Sequence, residues 1–314
     1  MRKTWAARSP TWGFQASIRA ASTELTATAG SHSGRRALDR TISEKTRIRA
    51  RHATISSVSE EILVVRCGTV PYDKARDAQR RLEQARQAGT IPDVLLLLEH
   101  YPVYTRGRRS TPDELPMGVD WYEAQGIQVR DTDRGGRVTY HGPGQLVAYP
   151  IVSLRPYGDD VHEYVRRLER VAIEALAGHG VRAQTIEGLT GVWTAGDPPA
   201  AGRGIENGSM SPASGPPASK IGSIGVHVSR GVTTHGLAVN VDCDLQPFEW
   251  IVPCGIEGAR MTSVARERSA PKSVDAFADT IAARFGEVYD RVPVATEPAA
   301  LDQRLPVATL RSSS

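Results

Sequence analysis

Cys254 stands in the turn IVPCGI, between Pro253 and Gly255 and directly after an apolar run. A thiol at a loop edge is reachable, whereas a thiol in a core strand is an inert apolar group. Cys67 and Cys243 stand in strand-like contexts and read as structural. A thiol near its reference pKa of about 8.5 is only a few per cent thiolate at neutral pH. Nucleophilic chemistry at Cys254 therefore calls for a nearby cation. Lys220 opens the segment KIGSIG. It is one of only five lysines among 39 basic residues, and Lys, unlike Arg, can give up a proton and take it back. The other reading of Lys220 is a solvated lysine at a strand end.

Two further segments carry polar groups among glycines. RGGRVTYHGPGQ, Arg134 to Gln145, joins four Gly and a Pro to Arg134, Thr139, Tyr140 and His141. Such glycine density lets backbone approach a ligand, yet Gly142-Pro143-Gly144 would equally serve as a plain β-hairpin turn. HGLAVNV, from His235, is an apolar strand that starts with His-Gly; its histidine reads most simply as bonded to backbone. The glycines of KIGSIG remove side chains from a strand and open a groove suited to a narrow apolar chain.

The elements that must hold these segments follow from periodicity. Glu61–Arg66, Val94–Leu98, Ile127–Asp131 and Gln145–Leu154 read as strands, and Pro150 predicts an edge or a bulge in the last. Further strands are expected at Val181–Ile186, Gly191–Thr194, Ile221–Val228 and Val232–Val241. Amphipathic helices are expected at Pro71–Ala88, Asp159–Ala177 and Ser273 to about Arg291. Two strand-rich halves with helices between and after them predict an α+β domain of mixed β-sheets flanked by helices. The chain divides into a disordered basic N-terminal extension (1–58), a catalytic domain (59–293) with a flexible Gly-, Pro- and Ser-rich insertion at about 196–218, and an irregular tail (294–314).

Charge narrows the function classes. Residues 1–55 hold nine Arg and two Lys against three acids, so the remainder of this +4 chain is mildly acidic. That balance speaks against nucleic-acid binding. The N-terminal excess would suit a transit peptide or a non-functional extension. No apolar run approaches the roughly 20 residues of a membrane span, and three cysteines without CxxC spacing predict no disulfide framework. Neither a phosphate loop nor zinc spacing is seen, so no cofactor and no metal are expected. A cytoplasmic protein is expected.

RGGRVTYHGPGQ, KIGSIGVHV, THGLAVNVD and IVPCGI, in that order, closely resemble the lipoyl(octanoyl) transferases of lipoate biosynthesis over roughly residues 60–290. The resemblance implies the α+β fold shared with biotin and lipoate protein ligases. It implies an acyltransferase that moves an octanoyl or lipoyl group through a thioester on Cys254. Lys220 would lower the cysteine's pKa and shuttle its proton. Substrate-binding positions would be Arg134, Gly135, Gly136, Arg137, Val138, Thr139, Tyr140, His141, Ser223, Ile224, Gly225, Gly236, Leu237 and Ala238. The implied donor is octanoyl-acyl carrier protein. The implied acceptors are lipoyl domains of 2-oxoacid dehydrogenase E2 subunits and the glycine cleavage H protein, with the enzyme acting as a monomer. Residues 1–55 have no counterpart in the family core, and the 196–218 loop is longer than typical. Competing readings are an ATP-dependent lipoate or biotin ligase on the same fold, a non-catalytic lipoyl- or carrier-binding module, and a cysteine hydrolase.

Overall fold

The computed structural model describes residues 61–197, 217–252 and 260–305, together with the backbone of 205–206 and 209–210. The basic N-terminal segment, most of the 196–218 insertion and Cys254 lie outside the described residues. The chain enters on strand β1 (Glu61–Val70), followed by helix α1 (Tyr72–Gln87), with Pro71 at its N-cap. Strands β2 (Asp93–His100) and β3 (Val103–Arg106) precede a single 3-10 turn at Pro112–Glu114, helix α2 (Val119–Ala124) and strand β4 (Gln128–Asp131). Strands β5 (Thr139–His141) and β6 (Gln145–Ile151) lead into helix α3 (Val161–Gly178). Its N-cap Asp160 accepts from the backbone N–H groups of His162 and Glu163.

Strands β7 (Ala183–Ile186) and β8 (Leu189–Thr194) form a hairpin, and a two-residue pair joins Ile205–Glu206 to Ser209–Met210. The long strands β9 (Lys220–Ser229) and β10 (Val232–Asn240) follow. Short helical turns at Gln246–Glu249 and Val264–Arg268 precede helix α4 (Val274–Tyr289), capped by Ser273. Strand β11 (Val292–Ala295) and helix α5 (Pro298–Arg304) complete the described chain.

The main sheet runs β11-β1-β2-β6-β10-β9-β8-β7, and a smaller one runs β4-β3-β5. One face of the main sheet packs Leu95, Leu146 and Val239 against α3 and α4 through Leu168, Leu176, Phe277 and Phe285. The other packs Leu96, Val147 and Ala238 with Leu82 of α1 and Leu301 of α5. Each fully buried side chain of this size contributes about 1.5–3 kcal/mol. Apolar side chains on both faces explain the continuous run Val94–Leu98 in β2. Among the described residues no helix is long and apolar enough to cross a membrane. The mixed sheets flanked by helices are those of the expected α+β class.

Three expectations are corrected. The segment Gly142-Pro143-Gly144 is not a hairpin turn: β5 pairs with β3 in the small sheet and β6 with β2 and β10 in the large one, so these residues cross between sheets. Pro150 lies in an interior strand. The β10 ladder breaks after Ala148 and pairing resumes only at Ser153 with Val232, so Pro150 sits in the gap, where its missing N–H costs nothing, and its carbonyl accepts from Thr233 Oγ1 at 2.7 Å. The described chain past Pro293, to Leu305, is not irregular. Val292–Ala295 pairs in parallel with Glu61–Val64 and covers the outer edge of β1, while Leu301 and Leu305 bury on the sheet.

Candidate active site

Strand β8 pairs with β9 only at Lys220 and Gly222. Beyond Gly222 that side of β9 faces the glycine-rich segment instead, where Gly135 N–H donates to Val226 O at 2.9 Å. A cavity of about 1230 Å³ lies along this gap. It is lined by Arg134, Gly135, Gly136, Arg137, Thr139 and His141, by Lys220, Ser223, Ile224 and Gly225, and by Gly236, Leu237 and Ala238. Ser223 stands opposite Ala238 and Gly225 opposite Gly236, so small residues share one face of the β9–β10 pair. At Gly225 an added Cβ would lie 2.9 Å from Gly135 O and 3.0 Å from Arg134 Cδ. Only a bare backbone lets the two segments approach.

Two candidate positions face elsewhere. Val138 is fully buried, and its N–H donates to Glu114 Oε2 at 3.1 Å. Tyr140 packs between Tyr104 and Phe248 in the aromatic core of the small sheet. In a three-residue strand with alternating sides, Thr139 and His141 take the cavity face and Tyr140 the core.

Arg134 is buried. Its Nη2 donates to Thr105 O and Oγ1 at 2.7 and 2.8 Å, and its Nη1 to Gly135 O at 3.0 Å. From Thr105 a one-way chain of hydrogen bonds crosses the molecule. Gln145 Nε2 donates to Tyr140 O and to Asn240 Oδ1, so Gln145 Oε1 faces His141 Nδ1 at 2.7 Å and accepts its proton. This fixes the tautomer and leaves His141 Nε2 as acceptor toward the Thr105 hydroxyl at 3.4 Å. Asn240 Nδ2 then donates to Thr262 O at 2.9 Å, and Thr262 N–H to Lys220 O at 3.0 Å. Burial pushes His141 down to about 3, so it serves as a neutral hydrogen-bonding group.

His235 adopts φ +59°, an uncommon backbone for a residue with a Cβ. The strain is held by Gln79 Oε1, which accepts its N–H at 2.7 Å. Its Nε2–H donates to Asp133 Oδ1 at 2.7 Å, and Arg76 pairs with the same carboxylate oxygen at 2.8 Å. The hydrogen bond from His235, with Arg76, holds the Asp133 carboxyl well below the usual range. Burial lowers His235 to about 4. The histidine expected to bond to backbone instead gives its ring N–H to a carboxylate.

Lys220 is 3 % exposed in the cavity wall, and its Nζ donates to Thr190 O at 3.1 Å. The ammonium also lies 5.4 Å from the centre of the Trp193 ring. Its own N–H donates to Arg260 O at 2.7 Å. The described chain stops at Val252 and resumes at Arg260, so both flanks of the Cys254 segment are tied to the site. Arg260 bonds to Lys220, and Val252 N–H donates to Glu114 O at 3.2 Å. Glu114 in turn grips the glycine-rich segment through Arg137 Nη1 at 2.6 Å and Val138 N–H. Burial pushes the thiols of Cys67 and Cys243 up to about 11 and about 12, so neither is a nucleophile at neutral pH.

Sequence reasoning missed Glu114, Glu169, Gln79 and Asn240. Gln145 and Asn240 stood inside motifs already singled out, without a role of their own. The others are polar residues in segments that looked structural, and their signal is burial with hydrogen bonds to the site's backbone, which one sequence does not display.

The fold is that of one class of catalytic domain: the lipoyl protein ligase A/B catalytic domain family matches residues 71–286. The archaeal bi-partite lipoate protein ligase of Thermoplasma acidophilum, studied together with its E2 lipoyl domain, has a similar fold, with a TM-score of 0.56 at 17% identity over 76% of this chain and 87% of that one. Lipoate-protein ligase A bound with ATP gives a TM-score of 0.52 at 15% identity, over 76% of this chain and 88% of that one. Closer in sequence are an octanoyltransferase of Mycolicibacterium smegmatis, 44% identical over 77% of this chain and 95% of that protein, and one of Chloroflexus aggregans, 43% identical over 74% and 97%. The chain belongs to the octanoyltransferase family and is an acyltransferase.

Proposed function

We propose that the protein transfers an octanoyl or lipoyl group from an acyl-carrier thioester to a lysine of a lipoyl domain, through a thioester on Cys254. The Cys254 thiolate attacks the donor's carbonyl carbon, and the carrier's thiol leaves with a proton from Lys220. The neutral acceptor amine then attacks the acyl-enzyme. A C–N bond forms, the C–S bond breaks, and Cys254 departs as thiolate while the surplus proton returns to Lys220. One thioester replaces another in the first step, and an amide replaces a thioester in the second, so neither step needs ATP. The glycine-lined stretch of β9 and β10 would take the acyl chain, with about 0.8 kcal/mol per buried methylene favouring one length. Donor acyl carrier protein, acceptor E2 and H-protein lipoyl domains, cytoplasmic location and action as a monomer belong to the same proposal. The catalytic unit we propose begins near residue 59 and extends past 293, because β11 and α5 complete its sheet and core.

The observation that carries this reading is the pair of ties on either side of Cys254, one to Lys220 and one to Glu114. The test is mass spectrometry of full-length protein incubated with octanoyl-carrier. A single octanoyl adduct is expected on Cys254, with none in Cys254→Ala. A Cys254→Ser variant with full transferase activity would overturn the mechanism.

A further inference from the structure

Glu169 belongs to α3, whose apolar pattern reads as core packing. Its side chain is buried, 8 % exposed, and lines the cavity on the same side as Lys220. Its Oε1 accepts the N–H of Gly191 at 3.0 Å. Gly191 has φ +123°, and a Cβ added there would lie 2.8 Å from Lys220 Cε and 3.1 Å from Lys220 Nζ. The residue that Glu169 grips is therefore the one the lysine side chain lies across. The neighbouring carbonyl, Thr190 O, is the one that accepts from Lys220 Nζ. One buried carboxylate thus fixes the two-residue stretch that holds the ammonium. An amide would serve the Gly191 N–H equally well. A full negative charge in a buried position is stabilised only where a positive charge stands close.

We infer that Glu169 is a positioning residue that fixes Lys220 in the cavity wall and sets a buried carboxylate beside the stretch that holds its ammonium. This rests on the proposed role of Lys220 as proton partner of Cys254.

The charges around the lysine are consistent with that role. Burial raises the pKa of Glu169, while the Gly191 N–H, Arg166 and Lys220 itself pull it back. On α3, Arg170 and Glu174 pair with each other at 2.6 Å. Glu187, between β7 and β8, lines the same cavity. From the chain after β10, Glu267 accepts from Thr262 Oγ1 at 2.6 Å, and Arg260 is exposed. On the glycine-rich segment, Arg137 is paired with Glu114 and Arg134 with Thr105.

The test is the pH profile of kcat/KM for octanoyl transfer by full-length wild type, Glu169→Gln, Glu169→Asp and Lys220→Met. Glu169→Gln keeps an acceptor for Gly191 and removes the charge. Its basic limb is expected about one pH unit lower, since loss of a nearby opposite charge is worth about that much, with roughly tenfold lower activity above the limb. Glu169→Asp, with the charge retained, should leave the limb at the wild-type position. An unmoved limb in Glu169→Gln, or equal shifts in both variants, would overturn the inference and leave Glu169 a packing residue. If Lys220→Met kept the wild-type rate and profile, the reading of Lys220 itself would fail. A limb that vanished in Lys220→Met but stayed put in Glu169→Gln would sink only the positioning role of Glu169.

Discussion

The side-chain amide of Gln145 donates to Asn240 Oδ1 at 2.9 Å, and Asn240 Nδ2 in turn donates to Thr262 O, so the two side chains together join the glycine-rich segment to the chain that follows Cys254. Gln145 stands on β6 and Asn240 at the end of β10. Through them the orientation of His141 depends on the position of Thr262, the residue next to the one bridged to Lys220.

Gln145→Ala would leave the His141 Nδ1–H and Asn240 Oδ1 buried without these partners. Such orphaned groups cost about 1–3 kcal/mol each. We expect a fall of that order in unfolding free energy by denaturant titration and a larger proportional loss of kcat/KM. Wild-type stability together with wild-type turnover would show that the chain of bonds from Thr105 to Thr262 positions nothing.

Arg134→Lys keeps a positive charge but cannot reproduce the fork on Thr105 O and Oγ1. We expect at least a tenfold loss of kcat/KM with the fold retained by circular dichroism. Near-normal kinetics would mean that charge alone matters at this position.

Glycine positions separate close approach from mere flexibility. A Cβ at Gly236 would meet Ala148 O at 2.3 Å, whereas one at Gly178 would make an ordinary 3.7 Å contact with Thr280. Gly236→Ala is expected to lose about 1–3 kcal/mol through overpacking. Gly178→Ala, at the end of α3, is expected to be neutral or slightly stabilising. Equal melting temperatures for the two variants would contradict the packing described for β6 against β10.

Acid should weaken the fold well before the carboxylates titrate. Burial holds His100, His141 and His235 neutral, with values near 4, 3 and 4 against an ordinary 6.5. The unfolded chain binds these protons first, so stability is full above about pH 6.5 and falls as the pH drops toward 4. Asp133, depressed by its bond to His235, adds to the loss at still lower pH. We expect a fall of a few kcal/mol between pH 7 and pH 4.5 in denaturant titrations. His100→Gln, which removes one of the three titrations, should flatten the curve. A wild-type stability unchanged over that interval would refute the neutral buried histidines.

Much of this was legible in the sequence for a physical reason. Long elements with a clear period, such as Val94–Leu98 in β2 or Val161–Gly178 in α3, declare which face is buried. Three of the four motif segments supply residues of the cavity's lining, while the fourth, which holds Cys254, lies outside the described residues. What stayed hidden depends on neighbours remote in sequence. The hairpin turn, one of two readings open at Gly142–Gly144, failed because local turn chemistry cannot report that β5 and β6 belong to different sheets. Pro150 was misjudged because the extent of the β10 ladder is set by His235 and Gly236, not by β6. Val138 and Tyr140 sit within a motif whose alternate residues turn away to Glu114 and to the aromatic core. Glu169 looked like a polar residue at the margin of an amphipathic helix, and only the path of Lys220 across Gly191 gives it a purpose.

Strand β11 also bears on how the molecule comes to be folded. Glu61 pairs with Val292, 231 positions away in sequence. The outermost pairing of the main sheet therefore forms among its least local contacts, and such contacts form slowly. As the chain is made from its N-terminus, β1 must wait with one edge open until Val292, 231 positions later, has been made. An open edge is a template for pairing with other chains. The last strand acts as the closure of synthesis, and a chain cut short at Pro293 would carry its aggregation hazard permanently.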